Sequence, residues 1–432
     1  MHRLLITLIA LFLGTVPLTA LAQEAGPQYL RPYDQSGMNV FETPKADDTP
    51  FTGLRVDWGA AFTQQFQALS HSSEAAPVLD EDGNNLNTLY DLGNGFNLAT
   101  ANLYLDAQLA EGIRVNLITY LSARHHAEAW VKGGYLQVDE LAMLNSDLVD
   151  RVMDYVTVKV GHFEINYGDA HFRRSDNGNA LYNPFVGNLI LDAFTTEIGG
   201  EVYAQHGGAL AMVGVTGGEI KGDIKGPVED RAPSFYGKLG VDRQVTDDLR
   251  LRLTGSAYTT TASHNNTLYA GDRAGSRYYL VMEDADASAG SDFRSGLINP
   301  GLRDRVTAFQ LNPFVKVHGL ELFGVVERAE GRAHNETEDR VWNQYAVDAI
   351  FRFLPQEQLF VGARYNTASG QLQGMAEDVT VNRWALGAGW FVTPNVLAKV
   401  EYVNQTYSDF PTDDLCYEGE FNGFMIEGVV AF

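Results

Sequence analysis

About sixteen stretches of this chain alternate apolar and polar residues with a period of two, and the connections between them alternate in length. Period two belongs to a strand whose two faces meet different surroundings. The stretches are 54–62, 99–109, 113–123, 129–140, 153–166, 196–206, 209–220, 234–244, 249–260, 306–318, 320–330, 341–353, 359–367, 380–391, 396–407 and 420–432. Short connections fall at 111–112, 206–208, 245–248, 318–319, 354–358 and 392–395, and long ones at 70–94, 167–195, 221–233, 261–305, 331–340, 368–379 and 408–419. A membrane barrel has short turns at one rim and long loops at the other; a soluble sandwich gives no reason for that order. Two connections break it. Residues 124–128 are short where a loop is due, and 141–152 are long where a turn is due. The latter stretch has helical spacing and is expected as a short helix. The expected fold is all-β: a transmembrane antiparallel up-and-down barrel of about sixteen strands.

Both ends agree with export to an outer membrane. Asn422, Phe424, Ile426, Gly428, Val430 and Phe432 share one face of the last stretch. A terminal strand closing on an aromatic is what barrel assembly machinery reads, so Phe432 is the expected assembly signal. Residues 1–22 carry one basic residue, an apolar core and small residues at Ala20 and Ala22, the pattern of a secretory signal peptide. Residues 23–50, rich in Pro, Asp and Gly, are expected as an irregular periplasmic leader, and 51–432 as the barrel. Beyond the signal, no apolar run approaches the ~20 residues of a membrane helix. Val56, Trp58, Trp384, Leu386, Trp390, Phe424 and Ile426 are expected to face lipid.

The run Val158-Lys-Val-Gly-His-Phe-Glu-Ile-Asn-Tyr-Gly168 resembles the phosphate-selective porin O and P family, as does Asn102-Leu-Tyr-Leu-Asp106. Gly161, Phe163 and Gly168 match the family's run, and Tyr167 stands for its aromatic. Glu164 replaces a basic residue and Asn166 a proline. The resemblance implies a trimeric porin in which the loop after the fifth strand, 167–195, folds into the pore. Its Asp169, His171, Arg173, Arg174 and Asp176 are then the expected constriction, with both signs of charge making a transverse field.

Strand phase gives the expected pore lining. The basic members are Arg55, Arg114, Lys159, Lys238, Arg250, Arg252, Lys316, Arg352, Arg364, Arg383 and Lys399. The acids are Asp57, Asp106, Glu197, Glu201, Asp242, Glu321, Glu327, Asp348, Glu401 and Glu427. The formal charge of the chain is −24, or −25 once Arg3 leaves with the signal. Eleven bases against ten acids leave the lumen nearly balanced, so the excess belongs to loops and leader. Weak selectivity is expected, shifting toward cations at low salt, where the acidic mouth is unscreened. Neutralising Arg364 and Arg383 together is expected to move it further toward cations.

Small hydrophilic solutes or ions, among them oxyanions, are the expected cargo. The lipid bilayer, lipopolysaccharide and the assembly machinery are the expected partners. The acidic balance argues against nucleic acid. No G-x-S-x-G, H-E-x-x-H or C-x-x-C occurs, Cys416 is alone, and no cofactor or reaction is called for. The alternative is an outer-membrane enzyme or surface-binding barrel with a blocked lumen. Asp80-Glu-Asp-Gly-Asn84 has the spacing of a calcium loop without its flanking helices or a clear terminal acid.

Overall fold

The computed structural model describes residues 26–123, 129–220, 231–270 and 277–432. The expected signal peptide, the short connection 124–128 and most of the long connection 221–233 lie outside them. The strands are β1 (Arg55–Ser72), β2 (Gly95–Phe96), β3 (Thr100–Ala110), β4 (Ile113–Ser122), β5 (Ala129–Val138), β6 (Val156–Glu164), β7 (Thr196–His206), β8 (Ala209–Thr216) and β9 (Ser234–Thr246). They continue as β10 (Leu249–Thr260), β11 (Arg305–Val317), β12 (Leu320–Arg332), β13 (Arg340–Phe353), β14 (Leu359–Gly370), β15 (Val379–Thr393), β16 (Val396–Ser408) and β17 (Glu420–Ala431). Sixteen are long, and β2 is a two-residue piece on the upper half of β1. Each long strand pairs antiparallel with its neighbours in sequence. The seam joins Ala61–Ser72 of β1 to Ala431–Glu420 of β17, and Phe432 extends it through paired hydrogen bonds with Ala60. The sheet is therefore closed, as strands that cross a bilayer require.

The outward face is apolar. Trp58 is 71% exposed and Phe424 55%, and Val56, Trp384, Leu386, Trp390 and Ile426 are also exposed on this face. Such exposure would be costly in water, and it is what the hydrocarbon of a bilayer accepts. The expected inward set points the other way: Asp106, Lys238, Arg383, Glu401 and Glu427 are all buried. The helix expected within 141–152 forms at Asp147–Met153, preceded by a 3-10 turn at 142–144.

Three segments occupy the interior that the strands enclose. Residues 165–195 run across it. Part of the 261–304 connection lies over them, with Leu268, Tyr278, Val281, Ile298 and Leu302 buried in one apolar cluster with Ile190, Trp342 and Phe421. The third is the leader, residues 26–50, expected as an irregular periplasmic segment. It has no strand and a single 3-10 turn at Gln35–Gly37, and it lies inside the short-turn end of the barrel. Phe41 is buried against Phe314 and Phe323, and Tyr33 stacks on Tyr104 of β3 at 4.2 Å. Gln35 N–H donates to the Pro394 carbonyl (2.8 Å), and Lys45 Nζ to the carbonyls of Asp139 (2.7 Å) and Val156 (3.0 Å).

Candidate functional site: an eccentric aperture

The crossing segment is fixed to the wall around most of the barrel. Asp169 is held by Lys238 (2.9 Å) and Arg252 (2.8 Å), with Thr254 donating to it as well (2.7 Å). Arg173 pairs with Glu321, and Arg174 forks onto Asp192. Lys399 donates to the carbonyls of Ala180, Asn183 and Phe185, and Arg364 to that of Gly187. Glu401 accepts from Val186 N–H, and Gln344 both accepts from and donates to the backbone of Leu191. At the tip, Gly178 lies flat on the wall: a Cβ there would stand 2.5 Å from both Ala101 Cα and Ala61 O.

Space remains between the crossing segment and β3 to β7 of the wall. A cavity of about 220 Å³ lies there, with walls from three sources. The strands supply Arg114, Lys132, Tyr135, Lys159 and Glu164. The crossing segment supplies Phe172, Asp176 and Tyr182, and the leader supplies Arg31, Tyr33 and Glu42. Four cations and three carboxylates line it, so both signs persist within a few ångströms of any occupant. Lys132 sits between Glu164 (3.2 Å) and Asp176, and Lys159 lies 4.5 Å from the rings of Tyr135 and Phe163 and 3.5 Å from Glu201. Arg31 stacks at 3.9 Å on Tyr182 and donates to the Phe172 carbonyl.

Only part of the expected site is brought here. Of the expected constriction residues, Asp176 lines the cavity, while Asp169, Arg173 and Arg174 are buried in fixed pairs. His171 bonds Glu164 and Asn166 behind the lining. Of the expected lining, Arg114 and Lys159 reach the opening. Arg55 with Asp57 (2.8 Å), and Arg250 with Asp242 (2.7 Å), form half-exposed pairs near the short-turn rim. Lys238, Arg252, Arg352, Arg364, Arg383, Asp106 and Glu201 point inward as expected but are anchors rather than lining. Arg364 forks onto Asp348, and Arg383 donates to Gln405 and to the Asn188 and Gly296 carbonyls. The expected cation shift on neutralising Arg364 and Arg383 therefore has no basis in a water-facing charge.

Lys132 was missed for a definable reason. Simple alternation puts it on the same face as Leu136, toward lipid. The ladder pairs Ile118 with Gly133 but Thr119 with Val131, so Lys132 is the extra residue of a bulge. The bulge switches the phase and turns Lys132 inward. Odd spacing between the outward Val131 and Leu136 is the signal that could have found it.

The acidic loop 80–84 uses its carboxylate on itself. Asp80 accepts from the N–H groups of Asp82 and Asn84 and from the Asn84 side chain at 2.8–2.9 Å.

No described protein family and no curated protein matches this sequence. Solved structures do. An anion-selective porin from Comamonas acidovorans superposes with a TM-score of 0.52 at 11% identity, over 88% of this chain and 100% of its own. The trimer form of OmpT, an outer membrane protein of Vibrio cholerae, gives 0.50 at 12% over 88% and 100%. The outer membrane channel DcaP of Acinetobacter baumannii gives 0.50 at 10% over 88% and 98%. The fold is that of an outer-membrane β-barrel. The likeness is to outer-membrane barrels broadly, and it does not single out the phosphate-selective family that the 158–168 run resembles.

Proposed function

We propose that this outer-membrane barrel is a narrow passive channel for small hydrophilic solutes or ions and catalyses no reaction. One observation carries the reading. Inside the wall, a cavity is lined by both signs of charge, Arg31, Arg114, Lys132 and Lys159 against Glu42, Glu164 and Asp176. Such a lining favours polar and ionic solutes, because an apolar one would desolvate the charges without replacing their water. Four cations against three carboxylates supports weak rather than strong ion selectivity at high salt. By likeness to the trimer form of the Vibrio protein, the channel is a homotrimer.

Planar-bilayer recording of the reconstituted protein tests this. Discrete conductance steps with a small reversal potential are expected. A correctly folded protein that conducts nothing would end the channel reading. It would favour the other, a lumen-blocked barrel acting at its outer face, for which the apolar cluster of Leu268, Tyr278 and Ile298 over the interior speaks.

A further inference from the structure

We propose that the leader, residues 26–50, is the selectivity element of the aperture: it narrows the path and masks two wall cations that would otherwise draw anions. The inference rests on the channel reading above.

The leader is held differently from everything else in the interior. Among the described residues it forms no strand and joins no ladder. It grips the wall largely by side chains: Tyr33 to Asp106 (2.7 Å), Asn39 to Glu321 (2.6 Å), and Glu42 to Lys238 (3.2 Å) and Arg252 (2.7 Å). The crossing segment, by contrast, is bonded through its backbone to the wall around most of its course. The barrel ladder therefore does not depend on the leader.

Charge gives the second half of the argument. Lys238 and Arg252 face two carboxylates, Glu42 from the leader and Asp169 from the crossing segment. Without the leader these two cations keep Asp169 and, for Arg252, Asp242 at the rim (3.1 Å). The aperture itself loses Arg31 and Glu42 together, one of each sign. At the cavity those two losses cancel, but the leader as a whole carries Arg31 and Lys45 against Asp34, Glu42, Asp47 and Asp48, so its removal takes away a net −2 and leaves a wider, more positive opening that would admit anions.

Two variants separate width from charge. Deleting residues 26–48 is expected to raise single-channel conductance severalfold and to move the reversal potential toward anions. Glu42→Gln keeps the leader in place. It is expected to reproduce the shift in reversal potential with little change in conductance. Should the deletion fail to fold, Arg31→Ala with Tyr33→Ala trims the leader's side of the opening and is expected to raise conductance alone. A conducting wild type whose conductance and reversal potential are matched by all the folded variants would overturn the inference and leave the channel reading standing. Silence in the wild type with conductance in the deletion would make the leader a full plug and overturn the channel reading for the intact protein. Silence in both would overturn both.

Discussion

Lys399 offers the sharpest test of how the interior is held. Its ammonium donates to three carbonyls of the crossing segment, at Ala180 (2.9 Å), Asn183 (3.0 Å) and Phe185 (2.9 Å), and pairs with buried Glu427. Lys399→Met keeps the length of the stem and removes the charge. Glu427 is then left with Gln65 (2.6 Å) and with Arg277 at 3.6 Å, and three carbonyls lose a donor. Removing one partner of a buried pair costs about 3–5 kcal/mol, which shifts the docked-to-released equilibrium of the segment by roughly two to four orders of magnitude. The loss is expected mainly in that segment, because the barrel ladder is untouched. Single-channel traces should therefore become noisy, and the transition of the folded form in detergent should fall on heating. Adding Glu427→Leu removes the orphaned charge and is expected to restore part of the loss, the unpaired carbonyls keeping it partial. A single variant costing less than ~1 kcal/mol, with quiet channels, would show that the buried pair does not anchor the segment.

Trp384→Arg places a charge on the lipid face and is expected to cost ~2–4 kcal/mol near the midplane, read as lower unfolding midpoints in refolded bilayer samples. Gly178→Val forces the tip of the crossing segment off β1 and β3, and conductance should rise without loss of the barrel's far-UV signal. Glu283, in the connection after β10, has its carboxyl pushed up to about 7 by burial and by Asp292 and Asp284 nearby. The folded state therefore holds its proton more tightly, and local stability should fall as pH rises from about 4.5 through about 7. Exchange protection across 280–295, referred to the intrinsic rate at each pH, should fall over that range, and Glu283→Gln should remove that fall.

The wall was legible because lipid enforces it. Each outward position must be apolar, so period two survives along every long strand, and 196–206 and 249–260 match the sequence expectation to the residue. The end of β1 was not legible. Thr63 to Ser72 carries Gln65 and Gln67 inward and Gln64 outward, so polarity there does not alternate. Inward orientation of the charges was legible for the same reason as the wall. Which of them meet water was not, because it depends on what fills the interior, and no periodicity marks the leader or residues 165–195. Phase also failed wherever a bulge intervened, as at Lys132.

The leader's placement has a kinetic consequence. Asn39 meets Glu321 across 282 residues, and Gln35 meets Gln356 across 321. Contacts of such span form late, since the intervening chain must first be closed into its loop. The first described residues can therefore settle only after β12 to β15 are in place. Before then the short-turn end lacks its leader, and Asp106, Lys238, Arg252 and Glu321, which the leader meets, are without those partners. On the channel reading proposed above, the path is therefore narrowed last, when the leader docks, and a delay between strand insertion and docking would leave it wider.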